Sequence, residues 1–275
     1  MYGHAKNKRF DLKQMTLLLA TTGKNGFPVW IKSHSGNASD QKTLELAAQR
    51  MQKLCQAIKD APPLLFVGDS AMYAHCVENG ANLLWLSRVP DKIKLSKELL
   101  LKNDVNWTKL ANGYKISCSR QVYKNVEQRW VLVFSQEAYD KEIKTLEKNI
   151  DKEYEEFSKE LWHMCNQIFG CQKDLEGALQ QFSKKLKYHQ LDYQISDSLS
   201  RKKIARFKLT AKLIKNQEAI NNARLTKGKF ILATNQLDAQ VLKDEEILPA
   251  YKEQSGTKSG FKFIKDNAFE VDSIF

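Results

Sequence analysis

Three runs of consecutive apolar residues set the strongest limit on how this chain folds: Leu64-Leu65-Phe66-Val67, Leu83-Leu84-Trp85-Leu86 and Phe230-Ile231-Leu232-Ala233. Each is short and closes on polar or turn-forming residues (Gly68-Asp69, Ser87, Thr234-Asn235). Each therefore reads as a strand covered on both faces, not as a helix. None is long enough to span a bilayer. Covered strands interleaved with helical periodicity specify an α/β arrangement.

The first ninety residues read β-β-α-β-α-β. Leu12 to Thr22 is apolar, and Phe27 to Ile31 follows after Gly23-Lys24-Asn25-Gly26, where Asn-Gly is a hairpin signal. Gly36-Asn37-Ala38-Ser39-Asp40 is a turn and helix cap, after which Leu44, Ala47, Ala48, Met51, Leu54, Cys55 and Ile58 recur at helical spacing. Pro62-Pro63 stops that helix. The run from Leu64 to Val67, a short helix to Asn79-Gly80 and the strand from Leu83 to Ser87 complete a mixed sheet with helices.

Between Pro90 and Gly228 the pattern changes. Tyr114 to Cys118 and Trp130 to Phe134 read as a small β hairpin. Ile143, Leu146, Ile150, Tyr154, Phe157, Leu161, Met164 and Ile168 form a seam at steps of three or four, and Leu175, Leu179, Phe182, Leu186 and His189 resume it beyond Gly170. A helical hairpin is expected. A strand from Ile204 to Leu213 and a helix from Gln217 to Leu225 follow, and then the strand Phe230 to Ala233 and a helix from about Lys243, with Pro249 inside it. The plan is one α/β domain in two pieces, residues 1–90 and 228–275, split by an inserted α+β module, residues 91–227.

Lys and Arg number 44 against 32 Asp and Glu, a net charge of +12. The segment from Glu137 to His189 holds eleven acids and nine lysines, so the remainder carries +14. A basic body of this kind favours a polyanion partner. Five scattered cysteines, at 55, 76, 118, 165 and 171, fit free thiols in a reducing cytoplasm. Nothing from Met1 to Phe10, which carries Lys6, Lys8 and Arg9, reads as a signal segment.

Asp69 stands at the tip of the first covered strand, directly before the helix Ser70-Ala71-Met72-Tyr73. Sites in open α/β sheets gather at the carboxyl ends of strands, and oxygen ligands there hold Mg²⁺ for phosphoryl chemistry. The plainer reading is an N-cap that accepts from the amides near Tyr73. Downstream, Tyr251, Gln254, Lys258 and Lys265 are spaced by 3, 4 and 7 and share one helix face. The basic residues Lys258, Lys262 and Lys265 suit a phosphate backbone.

With these features in place, the chain resembles a DDE-class transposase of a bacterial insertion sequence, whose catalytic domain is ribonuclease-H-like. The resemblance rests on His4 to Gln14 with Asp11-Leu12-Lys13-Gln14, on Gly36 to Asp40, on Val67-Gly68-Asp69-Ser70-Ala71-Met72-Tyr73 and on Ser87-Arg88-Val89-Pro90. It also rests on Gly228-Lys229-Phe230-Ile231-Leu232-Ala233-Thr234-Asn235 and on Tyr251 through Asp266. It implies that Asp69 is the second acid of a triad holding Mg²⁺ or Mn²⁺. It further implies contacts to insertion-sequence DNA by Tyr251, Gln254, Lys262 and Lys265, a homo-oligomer or a pairing with intact transposase, and a place at the nucleoid.

Two departures from the family pattern matter. The resemblance puts the first acid on a strand upstream of Met1, so a truncated chain is expected. It also puts Lys258 where the third acid, a Glu, belongs, and Gln254 where an Arg belongs. An ammonium at 258 repels Mg²⁺ and is suited to pair with Asp69 instead. Glu253 lies about 140° round the helix from it and Asp266 about 80°, so neither substitutes. The expectation is a DNA transposase with impaired strand transfer. The alternative is a non-enzymatic fragment that binds DNA or the intact enzyme and inhibits it.

Other constellations read as structural. His163, Cys165 and Cys171 lack a suitably spaced fourth zinc ligand. Cys55 and Cys76, with His75, show no nucleophile–base pattern. Trp30, Trp85, Trp107, Trp130 and Trp162 are read chiefly as packing residues.

Overall fold

The computed structural model describes residues 13, 15–23, 26–38, 40–59, 64–79, 83–199 and 205–257. The chain forms two compact units. One comprises Met1–Leu100, Val105–Phe134 and Phe230–Phe275, and the other Leu101–Asp104 and Ser135–Lys229.

The first unit is built on a six-stranded mixed sheet. Its strands are β3 (Leu65–Gly68), β4 (Leu84–Arg88), β5 (Thr108–Lys109), β6 (Tyr114–Tyr123), β7 (Val126–Ser135) and β11 (Lys229–Thr234), in the order β3-β4-β11-β7-β6-β5. β3 runs parallel to β4, with Leu65 opposite Leu84, and β11 runs antiparallel to β4, with Ala233 opposite Ser87.

Adjacent residues of the central strands serve opposite faces. Trp85, Trp130 and Ile231 join Tyr73 of α2 (Ser70–Asn79) and Leu100 of α3 (Lys94–Leu101) in one core. Leu86, Val131 and Leu232 join Ile247 and Leu248 of α7 (Asp244–Glu253) in the other. Both faces are therefore covered, as the uninterrupted apolar runs require. Each large side chain fully enclosed here contributes roughly 1.5–3 kcal/mol. α7 runs unbroken through Pro249.

Two sequence expectations are corrected in this unit. The hairpin read as part of the inserted module is β6–β7, and it lies in the main sheet. Its two-residue turn, Lys124-Asn125, has φ of 50° and 62°, the twist that lets two long strands continue as sheet neighbours. Conversely, β1 (Met15–Thr21) and β2 (Pro28–Ser35) pair antiparallel as expected but form a separate two-stranded sheet. Its turn end meets the end of α7, where the hydroxyls of Thr21 and Thr257 lie 2.6 Å apart. A Cβ on Gly26 would stand 3.6 Å from the Gly256 backbone, so the two segments are in van der Waals contact.

The second unit holds α4 (Gln136–Cys165), α5 (Gln172–Lys185), α6 (Gln217–Leu225) and a three-stranded antiparallel sheet. The sheet contains β8 (Ile168–Phe169), β9 (His189–Leu199) and β10 (Ala205–Lys215), in the order β8-β10-β9. The helical hairpin is present but shorter than its seam implied. α4 stops at Cys165, capped by Asn166, and Ile168 belongs to β8. α5 stops at Lys185, and His189 opens β9. Leu161, Met164, Leu175, Leu179 and Phe182 pack together with Leu209 of β10, so the sheet takes up the seam residues. No helix among the described residues is long and apolar enough to cross a membrane.

Candidate functional site

β3 delivers Asp69 to an exposed position at its carboxyl end. There Asp69 Oδ1 accepts from the Ala71 amide at 3.0 Å, and its carbonyl accepts from the Met72 amide at 3.1 Å. The carboxylate thus caps α2, the role anticipated from Asp preceding a helix, and its charge suits the positive end of the helix dipole. The same carbonyl accepts from the hydroxyl of Ser87, on the neighbouring strand β4, at 2.6 Å. Backbone and side chain of Asp69 are both held.

α7 packs on β3 and β4. Its apolar face supplies Ile247, Leu248 and, half-buried, Ala250 and Tyr251 to the core that includes Leu65 and Val67. The Tyr251 ring lies 6.5 Å from that of Phe230. Gln254 is the C-cap residue, with its amide directed to the Lys252 carbonyl and its own carbonyl accepting from Thr257 at 3.1 Å. Strand tip and helix are thus parts of one packed layer, although no hydrogen bond or ion pair among the described residues joins Asp69 to Tyr251 or Gln254. Lys258, Lys262 and Lys265, the remaining members of the expected stripe, lie outside the described residues.

The chemistry of the donor set decides whether a divalent ion fits. Mg²⁺ sites rely on carboxylates converging with water or phosphate oxygens. No group of three His, Cys, Asp or Glu that could hold a metal occurs among the described residues. Asp69 brings one carboxylate, already engaged at the start of α2. Of the acids and the position 258 that the resemblance assigns to the metal site, Asp69 alone lies among the described residues, and no hydrolytic step is assigned to it.

Several polar side chains fix this region, and of these only Thr234 and Asn235 stood out in the sequence, as the end of an apolar run. The Asn235 amide donates to the Leu83 carbonyl at 2.7 Å, and its oxygen accepts from the Trp85 amide at 2.9 Å. Thr234 donates to the Trp85 carbonyl at 2.6 Å. Together they tie the end of β11 to the start of β4. Buried Arg129 donates to the Leu242 carbonyl at 2.6 Å and pairs with Asp244 at 3.2 Å, which fixes the first turn of α7. Gln128 Oε1 accepts from both Tyr73 and Trp130 at 2.9 Å. For Gln128 and Arg129 the local signal is a polar pair entering an otherwise apolar strand.

On the exposed side, the Arg88 guanidinium lies over Phe230 at 5.4 Å and the Lys252 ammonium over Tyr114 at 3.6 Å. These contacts hold positive charge near β4, β6 and α7. In comparisons with known proteins, no family model, no curated protein and no solved structure matches this chain.

Proposed function

We propose that this chain is a DNA-binding protein of the DDE-transposase type, with a ribonuclease-H-like sheet and impaired phosphodiester chemistry. The observation that carries the reading is the seat of Asp69. It stands at the carboxyl end of one strand of a parallel pair, and a helix bearing Tyr251 and Gln254 packs against that same pair. This is where an α/β sheet presents a site. The net charge of +12 and the lysines at 258, 262 and 265 favour a phosphate backbone as partner.

Impairment follows from the acids. In the order the resemblance implies, position 258 should carry a carboxylate and carries Lys. Asp69 caps α2, and among the described residues it belongs to no group of three metal-ligating side chains. A cation held by one carboxylate at the surface has too few ligands to be retained.

The test uses the purified full chain with labelled duplex DNA, in Mg²⁺ and separately in Mn²⁺. Duplex binding that weakens with salt, without nicking or joining under either ion, is the expected result. Metal-dependent cleavage or strand joining would refute the impairment. Failure to bind duplex at low salt would refute the DNA reading altogether.

A further inference from the structure

β9 and β10 form a long antiparallel ribbon in the second unit, in unbroken register from Lys215 opposite His189 to Ala205 opposite Leu199. Its two faces differ sharply. Leu191, Ile195, Phe207, Leu209, Ala211 and Leu213 turn inward to the core shared with α4 and α5. The alternate positions turn outward: Arg206, Lys208, Thr210 and Lys212 on β10, with Ser196 opposite Lys208 and Gln194 opposite Thr210, all exposed. Asp192, the acid on this face opposite Lys212, pairs with it at 3.0 Å. Residues 190–215 contain seven basic and two acidic side chains, a balance of +5, whereas residues 137–189 balance at −2. Four of the seven, Arg206, Lys208, Lys212 and Lys215, lie on β10, the first three of them on its outward face.

We propose that the outward face of the β9–β10 ribbon docks on the phosphate backbone of a nucleic-acid duplex. Arg206, Lys208 and Lys212 are the charge contacts, and Ser196, Thr210 and Gln194 supply neutral hydrogen bonds. The spacing suits this partner. Successive outward residues of a strand are about 6.8 Å apart. A duplex carries one negative charge per about 1.7 Å of its axis, so a row of cations at this spacing meets several phosphates at once. Hydroxyl and amide side chains are ordinary phosphate donors. The outward positions carry no aromatic ring among the described residues, whereas single-strand sites stack bases on such rings. A duplex is therefore favoured over a single strand.

This inference shares with the proposed function only its class of partner. It requires nothing of Asp69 or of α7. It identifies a second nucleic-acid contact surface, one built from sheet rather than from the helix stripe.

The test compares the full chain with R206Q/K208Q/K212Q and with a matched control, K144Q/K148Q/K152Q. The control removes three exposed lysines from α4. Binding of a labelled duplex is followed by anisotropy across a sodium chloride series. Loss of three phosphate contacts should lower the slope of log K against log salt by about 2.7, while the control keeps the wild-type slope. Matching thermal melts show that both variants are folded. Equal slopes for wild type and ribbon variant, with duplex binding intact, overturn the ribbon and leave the proposed function standing. A wild type that binds no duplex overturns both. Single-stranded DNA bound as tightly as duplex, with the same dependence on the ribbon, overturns the duplex assignment. Ribbon-dependent binding to phosphatidylserine vesicles without ribbon-dependent duplex binding overturns the choice of partner.

Discussion

Ser87, fully buried on β4, donates its hydroxyl to the main-chain carbonyl of Asp69 across the parallel pair at 2.6 Å. This bond lies just beyond the last paired residues, Gly68 and Ser87, where the ladder ends and the chain turns into α2. It fixes the point from which the Asp69 carboxylate reaches the Ala71 amide. The strand tip is thus set by a bond from its neighbour, and the acid is oriented to its own helix.

Substitutions at 69 separate a cap from a metal ligand. D69A should lower the stability of the fold by about 1 kcal/mol, and D69N, which retains an accepting oxygen, by less. Chemical denaturation with and without Mg²⁺ reads both. The native chain should show no stabilisation by the ion, and a stabilisation that disappears in D69N would show that the carboxylate serves metal after all.

Glu153 should be among the costliest surface-distant substitutions in the second unit. From the buried face of α4, its Oε1 accepts from the Tyr188 amide at 2.8 Å and from the His189 amide at 3.0 Å. It also accepts from His189 Nδ1 at 3.0 Å, and its Oε2 accepts from the Lys187 amide at 3.1 Å. E153A strands three main-chain donors and a ring nitrogen, at a cost of about 3–5 kcal/mol. E153Q keeps one accepting oxygen and should lose markedly less. Equilibrium denaturation of the two variants gives the comparison, and equal losses would mean that packing, not the hydrogen bonds, dominates.

The same carboxylate explains why part of the fold was illegible in the sequence. Leu186 and His189 continue the spacing of α5, yet Leu191, Tyr193 and Ile195 alternate at a period of two, and residues 186–191 fit both patterns. Glu153, more than thirty positions away, decides for the strand by capturing the amides of residues 187–189. A pairing that distant leaves no local trace. At Ile168, helical spacing ran on although the helix had ended at the Asn166 cap. By contrast, the strands β3, β4 and β11 were legible to within a residue or two, because burial on both faces writes itself as an unbroken apolar run. The position of Asp69 was legible for the same reason. The Ser87 bond and the ties through Asn235 were not, since each joins residues remote in sequence.

Thiol reactivity should divide the cysteines and give the fold an alkaline limit. Burial pushes Cys76 up to about 12. Burial, and then the hydrogen bond and charge of Asp244, push Cys118 up to about 12 against the opposing pull of Arg129. At about pH 8 these thiols stay protonated in the folded chain, so exposed Cys171 should react with a disulfide reagent while Cys76 and Cys118 wait for unfolding. Because the folded values are raised, the proton is held more tightly in the native state. Their stability contribution is whole below the unfolded thiol value of about 8.5 and declines as pH rises towards 12. Denaturation midpoints should fall across that interval and fall less steeply in C76A/C118A. A parallel decline in the double variant would assign the limit to other groups.

Two glycines should answer alanine with opposite signs. Gly228 has a φ of +66°, and a Cβ there would lie 2.7 Å from the Tyr139 Cβ and 2.8 Å from the Ser135 carbonyl oxygen. Its own carbonyl accepts from the Ser135 amide at 2.8 Å, at the point where α4 begins, so neither side can retreat without breaking the helix start. G228A should therefore destabilise by about 2–4 kcal/mol through left-handed strain and backbone overlap together. Gly177 sits inside α5 with nothing within 4 Å of an added Cβ. Alanine there removes freedom from the unfolded chain and suits the helix, so G177A should stabilise by about 0.5–1 kcal/mol. Urea unfolding of the two variants side by side tests the pair. If G228A matched wild type, the tight junction of Gly228 with Ser135 and Tyr139 would not exist in solution.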